Sequence, residues 1–165
     1  MNLGGIFRPG MRGYVVPLIA GLVLSVSAFL PWVVVNDISL AGVPDTAGLW
    51  VAGLGAAASV LAFLSLWTRR NSRHPILLVG LAALGITFLS WRIMPRMAGE
   101  RALTMAQAAT IVSGVEAGAA PVAKAGFGIY LGLAAAAVLV CFGLTIVIKR
   151  AQTAYVIVNA DDDVE

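Results

Sequence analysis

Charge is scarce in this sequence, and that scarcity excludes more than any motif present establishes. Only 12% of its 165 residues are Asp, Glu, Lys or Arg, about half the share found in soluble globular domains. With 60% hydrophobic residues and a mean hydropathy of +0.94, the deficit excludes an ordinary soluble domain and points to an integral membrane protein. Cysteine is nearly missing. The single Cys141 excludes an internal disulfide and a cysteine-rich metal site. The single His74 excludes bis-histidine haem ligation within the chain. A net charge of +3 is too small to argue for nucleic acid, and no nucleic-acid partner is expected. The basic residues sit beside apolar runs, where membrane topology accounts for them.

Long uncharged runs are what the sequence does have. A helix needs about 20 apolar residues to cross the hydrocarbon core. Four stretches qualify: Tyr14–Val35, Ala47–Thr68, Pro75–Trp91 and Ala125–Ile148, the third extending to Met94 if Arg92 snorkels. The reading is an all-α integral membrane protein in which residues 1–150 form one four-helix transmembrane domain. Its spans lie at about 14–35, 47–68, 75–94 and 125–148, with an outer segment at 95–124 and an acidic cytoplasmic tail at 151–165. Arg8, Arg12, Arg69, Arg70, Arg73, Lys149 and Arg150 all fall on one side. The positive-inside rule then makes both termini cytoplasmic, in the inner membrane of a bacterium; abundant Ala and Gly also suggest a bacterial source. Arg8, Arg12 and the small residues of "SVSA" also fit a cleavable signal peptide, but the length of the run and Pro17 favour a retained span.

The first run closes on "FLPW" (29–32), and "FLSW" recurs at 88–91. "GLVLSVSAFLPW" (21–32) aligns with "GLAALGITFLSW" (80–91), and the segment 48–70 aligns with 128–150, including terminal basic pairs. The chain therefore reads as two tandem in-out-in hairpins. In that reading Trp32, Trp50, Trp91 and Tyr130 form an outer interfacial belt, and Trp67 marks the inner face. Pro31 bends the exit of helix 1. Small residues at four-residue spacing, Gly48, Ala52 and Ala56 on helix 2 and Gly128, Gly132 and Ala136 on helix 4, are candidate helix-packing stripes. They face each other or another protein.

No ionisable residue lies deep in a span, which argues against a pump, an ion-coupled transporter or an intramembrane protease. His74 reads as an interfacial helix-start residue and Cys141 as a small packing residue. Met105, Ala108, Val112 and Val115 recur at helical spacing before Gly118 and Pro121 end the pattern. They suggest a short amphipathic helix over 103–115, resting on the outer membrane face or docking on a partner. The tail "TAYVIVNADDDVE" joins a β-prone run to Asp161, Asp162, Asp163 and Glu165. It reads as a solvated acidic end, with strand addition to a cytosolic partner through 154–165 as the alternative. The clustered carboxylates lack the spacing and the glycine of an EF-hand.

"LPWV", a short outer loop, an apolar helix ending in "RR" and two more helices resemble bacterial four-helix membrane proteins of the tryptophan-associated transmembrane type. The resemblance covers helices 1 to 3 and implies an inner-membrane bundle without a defined activity. Trp32 with "GLW" (48–50) is also similar to the claudin signature. That family then requires two cysteines, which this region lacks, so the likeness is set aside. No acid, base or nucleophile constellation is visible. The expectation is a non-catalytic membrane protein without cofactor or metal, in contact with the lipid bilayer and with other membrane subunits. It would be an accessory or structural subunit of a respiratory or photosynthetic type of complex. The alternative is a small transporter or channel for a neutral or apolar solute, formed by oligomerisation.

Overall fold

The computed structural model describes residues 12–68, 72–114 and 121–151. A 3-10 turn at Arg12–Tyr14 leads into α1 (Val15–Ser27). Two strands follow, β1 (Pro31–Val35) and β2 (Ile38–Ala41), then α2 (Thr46–Thr68), α3 (Arg73–Ser113), β3 (Ala123–Ala125) and α4 (Phe127–Ala151). Each helix packs against its neighbours in sequence, and α4 closes the ring on α1, leaving α1/α3 and α2/α4 as diagonals. The two candidate small-residue stripes therefore do not face each other. Stretches of α2, α3 and α4 are long and apolar enough to cross a membrane. The 13-residue α1 rises only about 20 Å.

The chain is not all-α. The three strands form an antiparallel sheet in the order β2-β1-β3 at one end of the bundle. The expected first span, 14–35, is cut short because helix 1 cannot pass Pro31. Proline has no N–H to donate to the carbonyl of Ser27, and its ring clashes there. The backbone N–H groups of Ala28, Phe29 and Leu30 close a tightened last turn on Ser25, Val26 and Ser27 at 3.3, 3.0 and 3.2 Å. The β-branched run Val33-Val34-Val35 then continues extended. Hydropathy alone does not separate this strand from a helix, because both are equally apolar.

Pro95 has the opposite outcome. The third helix continues past it to Ser113, where Gly114, at φ 64°, closes the end by donating its N–H to Thr110 O at 2.9 Å. At 41 residues α3 is about 60 Å long. The residues after Pro95 are rich in Met, Ala, Glu, Arg, Leu and Gln, all strong helix formers. The expected separate helix over 103–115 is instead the continuation of α3 as far as Ser113, and it does not lie flat as an independent element. Residues 115–120 lie outside the described residues.

These differences also break the proposed equivalence of the two hairpins. Trp32 stands in a strand, whereas Trp91 stands mid-way along α3. After the same "FL", one half has proline and folds back as strand. The other has Ser90, which keeps the helix hydrogen bonds intact.

Small residues set the helix contacts. A Cβ on Gly21 would fall 2.7 Å from Gly55 O, and one on Gly55 would fall 2.6 Å from Ser25 N. The α1/α2 crossing therefore brings backbone against backbone. Ser25 Oγ donates to Ala52 O at 2.9 Å, and Ser59 Oγ donates to Leu18 O at 3.3 Å, tying the same pair. On α2 the candidates Gly48, Ala52 and Ala56 do not share one buried face: Gly48 is buried, Ala52 half-buried and Ala56 exposed. A strict spacing of four drifts about 40° per step around a 3.6-residue helix. The buried line is Gly48, Val51, Gly55, Ala58 and Ala62, which alternates three and four. On α4, Gly128, Gly132 and Ala136 are all buried. Gly128 meets Leu30 of the turn after α1, and Gly132 sits between Ser27 of α1 and Thr87 of α3.

Candidate functional site

The described structure places its most unusual surface where the sheet meets the far half of α3. Trp32 holds the joint. Its side chain is fully buried, and its indole N–H donates to Ser27 O at 2.8 Å. A Cβ on Gly42 would fall 2.6 Å from the indole ring, and one on Gly48 would strike the Gly42 carbonyl. Val43 N–H donates to Ala28 O at 2.9 Å, and Gly126 N–H donates to Trp32 O at 2.7 Å. The end of α1, the loop before α2 and the residue just before α4 thus converge on Trp32 and the turn that precedes it. Trp32 is therefore not part of an interfacial belt: the strand that begins at Pro31 carries it back over the bundle end and under its own loop.

The other aromatic candidates lie on the outside. Trp50, Trp67 and Tyr130 are 62%, 69% and 50% exposed. Trp91 is half-buried, and its indole N–H donates to Tyr130 Oη at 3.3 Å, which sets these two rings at one level. Cys141 is exposed on α4 rather than packed within the bundle, because α4 turns its buried arc, Ala136, Leu139 and Gly143, the other way. His74 is exposed in the first turn of α3.

The hairpin is built by a two-residue turn. Val35 pairs with Ile38, and Asn36 occupies the left-handed region at φ 51°, which Asn tolerates better than most residues. Asn36 N–H donates to Val122 O at 3.1 Å, and Val122 N–H donates back to Asn36 Oδ1 at 3.2 Å. This reciprocal pair extends the β1/β3 ladder, in which Val35 stands opposite Ala123. β3 carries Lys124 on its exposed position, whereas β2, "ISLA", forms the opposite edge without any charge.

Directly opposed pairs Val33/Leu40 and Val35/Ile38 put four apolar side chains on one face of the hairpin. Facing them along α3 are Met94, Met97, Ala98, Arg101, Ala102 and Met105, spaced three and one alternately, which is one stripe of a helix. Between the two faces lies a groove of about 530 Å³ that also takes in Ala41 and Asp45. This is within the size range of ligand sites. Its ionisable residues are Asp45, just before α2, and Arg101, about 10 Å further along α3 than Met94. Ile38 and Leu40 remain 69% and 48% exposed, and Met105 72%, so the groove is open to the side. On the other flank of α3 a second, shallower hollow runs between Pro95, Gly99 and Leu103 and the segment Pro121–Ala123.

A cluster at the opposite end of the bundle escaped the sequence reading. Tyr14 is buried and meets Phe142 edge-on at 5.3 Å, and the Arg73 guanidinium lies 5.9 and 5.6 Å from the two ring centres. This cation–π contact joins α1, α3 and α4. Its members are far apart in sequence, and no local pattern announces them. Among the described residues no group of three or more His, Cys, Asp or Glu side chains comes together to hold a metal. The acidic cluster at 161–165 and the run 154–158 lie outside the described residues. Compared with known protein families, curated proteins and solved structures, the chain matches none.

Proposed function

We propose that this protein is a non-catalytic subunit of a bacterial inner-membrane assembly with both termini in the cytoplasm, crossing the membrane with α2, α3 and α4 and a fourth time with the shorter α1 together with the turns that flank it. It presents its sheet and the far half of α3 to the outer face. The observation that carries the reading is the end of α3, where Leu103, Ile111 and Val112 are 40%, 85% and 88% exposed. A helix standing free in water does not ordinarily display aliphatic residues so fully, and such a patch marks a protein contact. The bundle interior supports the same reading. Among its buried hydroxyls, Ser27, Ser59, Ser65 and Thr87 donate to backbone carbonyls, which is a way of satisfying polar groups inside lipid, not of conducting a solute.

Mild solubilisation of native membranes followed by sizing tests the assignment. Co-migration with larger subunits is expected, whereas a lone homodimer or homotetramer would instead favour an oligomeric pore. The double substitution Ile111→Asp with Val112→Asp is expected to weaken that association about 30-fold or more. Monomer stability should be unchanged, because both side chains are already in solvent. An unchanged elution position would remove α3's tip from the interface.

The orientation has its own check. In a Cys141→Ser background, cysteine at Ser39 is expected to react with an impermeant maleimide in intact cells, and cysteine at Ser72 only after lysis. The reverse pattern would invert the topology.

A further inference from the structure

The groove between hairpin and α3, about 530 Å³, is lined by apolar residues apart from Asp45 and Arg101. We propose that it takes an anionic phospholipid of the outer leaflet, partly raised from the membrane, with its headgroup phosphate on Arg101 and the upper part of an acyl chain along Met97 and Met94. The proposal rests on the outward orientation of the sheet.

Place, lining and charge each support this occupant. The floor of the groove is Met94, one helical turn beyond Trp91, whose indole is bonded to Tyr130. Interfacial rings of this kind mark the headgroup level. The groove therefore opens where the bilayer ends, and lipid enters without crossing water. From Met94 to Arg101 it rises about 10 Å, a distance suited to the upper part of an extended chain below a phosphate on Arg101, with Met105 beside the headgroup. Met94, Met97 and Met105 line it from α3, and unbranched thioethers adapt to a chain of no fixed shape better than branched side chains do. The two charges set the direction. Asp45, at the membrane end, repels an anion there. Arg101, higher on α3, offers a planar set of donors to a phosphate. A lipid with its head up and its chains down meets both conditions, and a chain inserted in the opposite sense meets neither.

The full-length protein is reconstituted in phosphatidylcholine vesicles containing a minor share of phosphatidylglycerol that carries a diazirine near the ester end of one acyl chain. Irradiation is expected to label the peptide 94–105 or the hairpin 33–41, and excess plain phosphatidylglycerol should compete the label away. Arg101→Gln, at an exposed position, is expected to lower the yield about 10-fold, while a phosphatidylcholine probe labels wild type and variant alike. Ala98→Trp, which fills the groove, should abolish labelling by the phosphatidylglycerol probe. Label confined to the apolar spans in wild type, or equal labelling of wild type and both variants, would overturn the proposal. The maleimide test at Ser39 separates the two levels. If Ser39 is reachable only from inside, the outward orientation fails. If it is reachable from outside and no label appears on 94–105 or 33–41, the lipid site alone fails.

Discussion

Trp32→Ala is expected to be the most damaging single substitution in the chain. The side chain is fully buried, and truncating a buried aromatic costs about 3–5 kcal/mol, a large share of the 5–15 kcal/mol by which typical domains are stable. The loss is not confined to one contact. The indole fills the space that Gly42 leaves by lacking a side chain, and its N–H satisfies the Ser27 carbonyl freed by Pro31. Removing it leaves that carbonyl with only the longer bond from Leu30 N–H, at 3.2 Å, at the point where sheet and bundle join. Thermal unfolding of the purified protein in detergent should show a large drop in melting temperature, with low accumulation in cells. Trp32→Phe keeps most of the ring but not the donor, and should lose about 1 kcal/mol through the missing hydrogen bond alone, more if the smaller ring leaves a gap. Trp67→Ala, at 69% exposure, serves as the comparison and should melt close to wild type. A Trp32→Ala protein as stable as Trp67→Ala would mean that the joint does not depend on this ring.

Gly55→Leu should come next. A Cβ at Gly55 would fall 2.6 Å from Ser25 N and 2.7 Å from Gly21 O, both backbone atoms that move only if α1 moves. Overpacking of this kind costs about 1–3 kcal/mol. Separating the helices would also stretch the bonds from Ser25 to Ala52 and from Ser59 to Leu18, each worth about 0.6 kcal/mol in a membrane bundle. Gly53, two residues earlier on the same helix, has nothing within 4 Å of its would-be Cβ. Gly53→Leu should therefore be neutral or slightly stabilising, since leucine is the better helix former. Both substitutions add the same apolar volume to the same helix, so hydrophobicity does not explain a difference between them. Equal melting temperatures for the two variants would refute the close α1/α2 approach.

Hydropathy by itself located the apolar segments, because crossing lipid demands about 20 apolar residues whatever their neighbours are. It could not say where an apolar run stops being helix. In 28–35 the decision rests on Pro31, whose missing donor ends α1, and on three valines that find partners in Ile38–Ala41 and Ala123–Ala125. The third strand is about ninety residues away in sequence, so no local signal contains that pairing. Around Pro95 local propensity was the better guide: the residues after it are strong helix formers, and the helix runs on.

The small-residue stripes divide in the same way. Composition and spacing determined that these helices approach closely, because glycine and alanine leave room for backbone contact. Which glycine meets which partner is a matter of helix phase and ring order. These placed Gly55 against Gly21, turned Ala56 outward, and set α2 diagonal to α4. The groove was out of reach for the same reason. Met94, Met97 and Met105 show in the sequence as a helical stripe, but only the pairing of β1 with β2 brings Val33, Val35, Ile38 and Leu40 opposite them. Residue chemistry marks which side chains are apolar. Packing assigns which of them meet protein and which are left facing an open groove, because a residue's affinity for apolar surroundings carries no information about which surroundings it gets.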